Sequence, residues 1–274
     1  MWEVMFWPIV ACLLFPWLLV YLGAHVVQRE IIFIDIAMAQ LASLGVSLAV
    51  LLDLDLDGPV TFAIALTFTL IGAAIFSFSG KRSGNVPQEA VIGISYVVSA
   101  AAAVLLLSRA AEGDEQIKNM LVGNILLVTP GEIAKTFALF VLVGAIHVVF
   151  RRPLLRASFD RERAVADGVR VAWWDFLFYA SFGLLVTSFV TMAGVLLVFT
   201  FLIVPAVCGL YLTTTFLGRL VAGWITAIVG GIAGLFFSYW FDLPSGAAIV
   251  CTFGGLLVLV FLGTAIKRKS SKEG

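Results

Sequence analysis

The chain alternates between long apolar stretches and short polar ones, and each apolar stretch is close to the roughly 20 residues with which a helix crosses about 30 Å of hydrocarbon. Stretches such as 90–108 and 246–266 are apolar on every face, whereas a membrane barrel strand alternates apolar and polar positions over about 10 residues. The pattern predicts an all-α, polytopic bundle in which residues 1–274 form one membrane domain. The predicted spans are 4–27, 31–52, 59–79, 90–108, 132–150, 172–191, 193–211, 217–238 and 243–266.

The number of spans depends on the segment Met192–Gly194. A tight turn there gives nine spans, whereas a kink within one longer broken element gives eight. The apolar stretch 117–128 is too short to cross the membrane, so it predicts an interfacial or re-entrant helix. The first five residues include Glu3 and no Lys or Arg, so the first span is expected to be retained and not cleaved as a secretory signal.

Composition excludes a water-soluble protein, because 62% of the residues are apolar and only 12% are charged, about half the charged share of a soluble domain. The formal net charge is zero, so nothing indicates nucleic acid as a partner. Cys12, Cys208 and Cys251 lie in separate apolar runs, which fits neither a disulfide framework nor a CxxC metal site. We therefore interpret the cysteines as packing residues.

Charge placement predicts an orientation in the inner (cytoplasmic) membrane. With the N-terminus outside and nine spans, 14 of the 17 Lys and Arg residues fall in cytoplasmic segments, including the basic tail 267–274. This asymmetry is what the positive-inside rule expects. The acidic turn at Asp53, Asp55 and Asp57 then lies outside, where it is either a solvated turn or a means of enriching cations.

The longest cytoplasmic loop in this orientation is the basic segment 151–170. Asp160 is predicted to cap a short helix from Arg161 to Asp167, and Gly168 to end it. From the residues alone, this helix either couples the spans to an ATPase subunit or is a basic loop near anionic lipid. The chain has no GxxxxGK[ST], GxSxG or HExxH stretch. We therefore expect a transport subunit and not an enzyme, so any ATP hydrolysis would belong to another polypeptide.

Six blocks of sequence resemble the permeases of zinc and manganese ABC importers, in the same order and over nearly the whole chain. The blocks are HVVQREIIFIDIAMAQLASLG (25–45), EAVIGISY (89–96), LVGNILLVTPGE (121–132), ASFDRERAVADG (157–168), AGVLLVFTFLIVPAV (193–207) and DLPSGAAIV (242–250). The resemblance implies a second permease copy in a homodimer, cytoplasmic ABC ATPase subunits that hold the ATP, and an extracytoplasmic metal-binding protein. It implies no cofactor on this chain, and a transported divalent metal, zinc first and manganese second.

In that family the Phe-Asp stretch lies in the cytoplasmic loop that meets the ATPase. The resemblance therefore implies a coupling role for five residues of this chain. These residues are Phe159, Asp160, Arg161, Ala164 and Gly168.

The chain departs from the family on its second span. Family members typically carry an Asp and, four residues later, a His, and positions i and i+4 share one helix face. Aligned on Gly45, these positions are Ile36 and Gln40, and the nearest carboxylate is Asp35. Gln is a poor zinc ligand compared with His, Cys or carboxylate. Asp35 and Gln40 remain the predicted metal contacts, while a metal chelate, a non-metal solute and an ATP-independent secondary transporter stay open as alternatives.

Each remaining polar residue in a span has two interpretations. Asp35 either lies on the path or pairs with a basic residue such as Arg29, and Gln40 either lines the path or bonds between helices. Glu89 is either a pathway residue or a first-turn carboxylate that favours the helix dipole. His25 and His147 are either ligands or internally bonded, and convergence with Asp35 would favour ligands.

Proline and glycine positions predict where helices break or pack closely. Pro205, with Gly194 and Gly209, predicts either an ordinary kink or a broken helix that presents carbonyls to ions. Gly230 and Gly234 form a GxxxG pattern, which is typical of close helix packing. The pattern does not distinguish packing within one subunit from packing between copies.

Overall fold

The computed structural model describes residues 2–56, 58–79, 87–110, 122, 123 and 125–273, without the side chains of 2–4, 191 and 267–273. Every regular element in these residues is helical. The α-helices are α1 (Trp2–Leu14), α2 (Pro16–Gln28), α3 (Ile34–Leu51), α4 (Pro59–Ser79), α5 (Gln88–Leu107), α6 (Pro130–Val149), α7 (Arg151–Phe159), α8 (Arg161–Ala166), α9 (Val171–Ala193), α10 (Val195–Leu212), α11 (Phe216–Phe241) and α12 (Ser245–Glu273).

Nine stretches of the described residues are long and apolar enough to cross a membrane, and they match the predicted spans to within three residues at each end. The first stretch combines α1 and α2, which meet at Phe15. Pro16 has no N–H to donate, but hydrogen bonds from Phe15 N to Ala11 O (2.9 Å) and from Leu19 N to Phe15 O (3.3 Å) carry the helix past it. The all-α membrane bundle predicted from the sequence is confirmed.

The sixth and seventh spans are separate helices, as the tight-turn interpretation requires. Gly194 joins α9 to α10 with φ 76° and ψ 160°, a backbone conformation open mainly to glycine. The Phe15 ring contacts both Phe189, before the turn, and Phe201, after it, at centroid distances of 4.6 and 5.9 Å. Because one ring contacts residues on both sides of the turn, the chain reverses direction between α9 and α10.

Successive spans alternate in direction, so the bundle has two distinct ends. We call the end that carries α7 and α8 the loop end, and the end that carries the Gly194 turn the opposite end. The second span, α3, has the largest buried share and the ninth, in α12, the smallest. The core therefore centres on α3, with α9 and α10 beside it, while α12 lies at the perimeter.

The segment before α6 lies at the opposite end, where Gly123 contacts the turn at Gly194. Residues 117–121 and 124 of the predicted half-length helix lie outside the described residues, and the part that follows is a 3₁₀ turn, Ile125–Leu127. Thr129 then begins α6 with a capping box: Thr129 N donates to Glu132 Oε2 at 2.7 Å, and Glu132 N donates to Thr129 Oγ1 at 3.3 Å. These bonds satisfy amides that the helix start leaves free.

Small residues set the closest helix contacts. A Cβ on Gly230 would meet Phe253, and one on Gly234 would meet the backbone of Ile249. The GxxxG pattern therefore packs α11 against α12 within one chain. Helix α10 stays a single helix through Pro205, and the break in this region is at Gly194. Pro205 is thus accommodated inside a continuous helix and does not interrupt it.

Candidate permeation path and coupling site

The loop between α6 and α9 folds into two short helices instead of the single predicted one. α7 contains Pro153 in its first turn, where its missing N–H costs little, and α8 follows after Asp160. Asp160 occupies the N-cap position, but its side chain makes no capping bond and instead accepts from Arg163 at 3.3 Å, so that detail of the prediction is wrong.

Gly168 ends the second short helix as predicted, with φ +74°. Gly168 N donates to Val165 O at 3.1 Å, and Val169 N donates to Ala164 O at 2.9 Å. This pair of bonds is the Schellman arrangement, which satisfies the last free carbonyls of a helix.

Two of the five predicted coupling residues, Phe159 and Ala164, pack the loop against the bundle through apolar and aromatic contacts. The Phe159 ring contacts the rings of His25 and Phe216, each at 5.3 Å between centroids. Ala164 is buried in a small cluster with Ala157 and Val171. Asp160, Arg161 and Gly168 are exposed, but Arg161 reaches inward to form an ion pair with α9. The outer surface of α8 is therefore polar and available to a partner, while its inner surface is fixed to the spans.

A buried carboxylate joins the loop to two spans. Asp175, in the first turns of α9, is 1% exposed. Its Oδ1 accepts a hydrogen bond from Arg29, the residue after α2, at 2.7 Å, and its Oδ2 lies 2.9 Å from the Arg161 guanidinium of α8 in an ion pair. Arg29 is 4% exposed, and its guanidinium lies 4.3 Å from the centre of the Phe178 ring. An ion pair held this way is costly to break from one side, because the remaining charge stays buried.

Ser158 and His25 extend this cluster. Ser158 Oγ lies 2.8 Å from Arg29 Nε, 2.9 Å from His25 Nδ1 and 2.9 Å from the carbonyl of Leu154. Arg29 therefore contacts the loop through Ser158 as well as α9 through Asp175. The end of the first span is fixed in place by polar contacts from two elements distant in sequence.

The two histidines converge at the loop end. His147 Nε2 lies 2.9 Å from Ser181 Oγ, and its Nδ1 lies 3.4 Å from the Tyr21 hydroxyl. The Tyr21 ring contacts His25 and His147, at centroid distances of 4.7 and 5.5 Å. However, the described residues contain no group of three or more His, Cys, Asp or Glu arranged to hold a metal ion. Asp35 therefore does not complete a ligand set with the two histidines.

Asp35 lies in the first turn of α3 and is fully buried. Neither carboxylate oxygen has a hydrogen-bond partner among the described residues. The alternative in which it pairs with Arg29 is wrong, because Arg29 is bound to Asp175. A buried carboxylate without a partner is costly, and inside a span it is a functional candidate by default.

A stripe of buried polar residues follows Asp35 along α3. Gln40, Ser43 and Ser47 recur at intervals of three and four residues, which places them on one helix face, and all three are buried. Ile36, at the position where the family carries Asp, lies one turn before Gln40 on the same face. Ser47 Oγ donates to the carbonyl of Ser43 at 2.8 Å. The stripe leads from the loop end toward the opposite end.

A cavity of about 560 Å³ opens between α4 and α6 at the opposite end. Residues of α3 and α9 also line it. From its wall, Thr187 Oγ1 reaches Thr69 Oγ1 at 3.2 Å inside the bundle. The polar residues of its lining are Thr61, Glu132, Lys135, Thr136, Thr187 and Ser188.

Glu89 stands apart from these groups. It is exposed in the first turn of α5, where the helix dipole explains an acidic residue.

Two residues of the site, Asp175 and Ser158, were not predicted from the sequence. Asp175 carried a usable signal, since it is a carboxylate next to Trp173 and Trp174 within an apolar run. Ser158 carried none, because a serine in a polar loop is ordinary.

Comparisons with known proteins agree with this fold. A sequence profile of the ABC 3 transport family matches residues 1–264. The manganese transport system membrane protein MntC of Listeria innocua is 26% identical over 241 residues, which cover 88% of this chain and 84% of that protein. The manganese import system permease protein ScaB of Streptococcus gordonii is 25% identical, over 92% of this chain and 87% of that protein.

A solved structure of PsaBC from Streptococcus pneumoniae in complex with Fab has the same fold. Its TM-score is 0.79 at 22% identity, and the alignment covers 94% of this chain and 91% of the matched chain. The family match reaches residue 264 of 274. The resemblance carried by the six sequence blocks is therefore confirmed, and the chain belongs to the ABC 3 transport family.

Proposed function

We propose that this chain is the permease subunit of an ATP-driven importer for a divalent transition metal ion, with manganese ahead of zinc. The observation that carries the proposal is the family match over residues 1–264, together with relatives named as manganese transport proteins along 84% and 87% of their own length. The order of the two metals reverses the one expected from the sequence, which favoured zinc.

The chemistry of α3 supports manganese. The helix carries a carboxylate at Asp35, and amide and hydroxyl oxygens on one face at Gln40, Ser43 and Ser47. Oxygen ligands suit Mn²⁺, whereas Zn²⁺ favours His nitrogen and Cys sulfur. A path also needs contacts weak enough to release the ion. In this proposal Asp35 and Gln40 contact the ion in transit, and an extracytoplasmic binding protein provides the affinity.

The partner subunits follow from the fact that ATP hydrolysis and membrane transport belong to different subunits of such an importer. Two cytoplasmic ABC ATPase subunits hydrolyse ATP, and a second copy of this permease completes the membrane part. The loop end faces the cytoplasm, where the exposed side of α8 meets the ATPase, and the C-terminus lies on the same side. The cavity beside Thr187 then opens to the outside and receives the ion.

A metal chelate is the second candidate cargo. The observation that favours it is the cavity volume of about 560 Å³, which falls within the roughly 300–1,000 Å³ of small-molecule sites and far exceeds a bare cation. A chelate would enter whole, so the hydroxyls of Thr61 and Thr136 would contact the chelator and not the metal.

The test is ATPase stimulation in the reconstituted complex with its binding protein. Mn²⁺, Zn²⁺, Fe²⁺, a metal chelate and a metal-free chelator control are supplied separately to the wild type and to Asp35→Ala and Gln40→Ala. The proposal requires stimulation by a free metal, Mn²⁺ most strongly, and a weaker response in both variants. Thr252→Val, on α12 away from α3, is the matched control and should respond as the wild type does. Stimulation by the chelate alone would favour the second candidate.

A further inference from the structure

We propose that Asp175 is the positioning residue that transmits movement of the loop helices to the spans. Its carboxylate binds Arg161 of α8 with one oxygen and Arg29, at the end of the first span, with the other, while Asp175 itself belongs to α9. One buried group thus joins the loop to the first and sixth spans. This inference rests on the proposed function, because it assigns a role in coupling ATP hydrolysis to transport.

The geometry favours transmission over simple anchoring. The Arg161 side chain is 42% exposed, and it reaches inward to the Asp175 carboxylate, which is 1% exposed. A partner that pushes on α8 therefore displaces one end of a short, charge-assisted contact whose other end is buried. Bonds of this kind are shorter and roughly twice as strong as neutral ones, so they hold while weaker contacts in the loop rearrange.

The contacts spread from Asp175 across the loop end. Arg29 also binds Ser158 of α7 at 2.8 Å, so the first span is connected to both loop helices. On the far side, Tyr179, one turn along α9 from Asp175, accepts a hydrogen bond from Gln88 Nε2 of α5 at 3.2 Å. The same Gln88 nitrogen donates to the carbonyl of Phe76 in α4 at 2.9 Å. A shift of α9 at Asp175 would therefore reach α4 and α5.

Arg161 offers a cleaner test than Asp175. Loss of the carboxylate would leave Arg29 buried without its partner charge, and the protein would be expected to misfold. Loss of Arg161 removes only the link between Asp175 and α8 and leaves the Arg29–Asp175 pair in place. Arg156 is the matched control, since it pairs with Asp167 within the same loop at 3.9 Å and is 63% exposed.

The experiment compares the wild-type complex, reconstituted in proteoliposomes, with Arg161→Gln, Arg161→Lys and Arg156→Gln. Metal ions transported per ATP hydrolysed are measured with Mn²⁺ as the probe. For Arg161→Gln we expect this ratio to fall at least about fivefold, the lower end of typical coupling between sites, with ATP turnover retained. Arg161→Lys should recover part of the ratio, and Arg156→Gln should match the wild type.

A second readout does not depend on the cargo. Hydrogen exchange of the backbone amides in residues 151–170 is followed in the same complexes, and Arg161→Gln should raise exchange in α8 above that of Arg156→Gln. If the wild type transports no metal, the proposed function fails, whatever the exchange shows. If the wild type transports metal but Arg161→Gln equals Arg156→Gln in both the transport ratio and the exchange, the role of Asp175 is wrong while the proposed function stands.

Discussion

Gly123 and Gly194 lie backbone to backbone at the opposite end of the bundle, and each has a positive φ, of 63° and 76°. A Cβ on Gly194 would lie 2.5 Å from Gly123 N and 2.7 Å from the carbonyl carbon of Val122. This contact joins the segment before α6 to the turn between α9 and α10. The positive φ of Gly194 allows the sixth and seventh spans to reverse direction at a single residue.

Gly194→Ala should therefore destabilise the protein through both backbone strain and a direct clash. Strain of this kind costs about 1–3 kcal/mol, and the clash adds to it. We expect the apparent melting temperature of the detergent-solubilised protein to fall by roughly 5 °C or more. The control is Gly254→Ala on α12, where a Cβ meets nothing within 4 Å, and it should melt as the wild type does. Equal melting of the two variants would contradict the tight contact.

The buried ion pair predicts an asymmetry between single and double substitutions. Asp175→Asn should cost about 3–5 kcal/mol, because it leaves the Arg29 charge buried and unpaired. The double variant Arg29→Met with Asp175→Leu removes both charges and should retain more folded protein than Asp175→Asn alone. Yield of monodisperse protein and thermal unfolding measure the difference.

The surface pair in the same loop is the control for that comparison. Arg156 and Asp167 are each more than half exposed, and pairs of this kind are worth about 0–1 kcal/mol. Arg156→Gln should therefore leave yield and melting unchanged. An Asp175→Asn protein that is as stable as Arg156→Gln would show that Arg29 finds another partner.

Restoring the family pattern on α3 should create a tighter metal site. Ile36→Asp with Gln40→His places a carboxylate and an imidazole one turn apart on one face. The added carboxylate binds either metal better than isoleucine does, and the imidazole binds Zn²⁺ better than an amide does. We expect the purified double variant to retain more metal than the wild type after dialysis, as measured by elemental analysis. Slower transport should accompany it, because tighter binding hinders release.

The matched control for that variant moves the same ligands to the outer surface of a span. Val97→Asp with Ala101→His on α5 has the same i, i+4 spacing, and both side chains are exposed. If both double variants retained equal amounts of metal, the α3 face would not line the path of the ion. Retention by the α3 variant alone would support it.

The proposed orientation predicts a pattern of thiol labelling. In a cysteine-free background, Val165→Cys on α8 and Leu243→Cys between α11 and α12 place exposed thiols at the two ends of the bundle. A membrane-impermeant thiol reagent applied to intact cells should label Leu243→Cys and should label Val165→Cys only after the membrane is opened. The reverse result would invert the proposed topology.

The sequence predicted the nine spans well because each one is an apolar run bounded by polar or glycine-rich residues. The end of α8 at Gly168 was also predictable, since a glycine with positive φ is a common helix stop. Asp160 did not cap α8, because the oppositely charged Arg163 three residues on competes for its carboxylate. The local sequence pattern was sufficient to predict structure wherever the contact joins residues close together in the sequence.

The candidate site was harder to predict because its contacts are distant in sequence. Arg29 and Asp175 are 146 residues apart, and Arg29 and Ser158 are 129 apart. The local sequence does not show that Arg29 pairs with Asp175 instead of Asp35. Asp35 was found because a carboxylate in a span is unusual in itself. The same argument applied to Asp175 would have found it as well.

The most direct test of the account is uptake of radiolabelled Mn²⁺ by proteoliposomes that contain this permease, its ATPase and its binding protein, with ATP supplied to the ATPase side. The account predicts ATP-dependent accumulation of Mn²⁺, less effective competition by Zn²⁺ than by unlabelled Mn²⁺, and reduced accumulation in Asp35→Ala and Gln40→Ala. Uptake that needs no ATP would contradict the importer assignment. Complexes that hydrolyse ATP but accumulate no metal would contradict the assignment of a metal ion as the cargo.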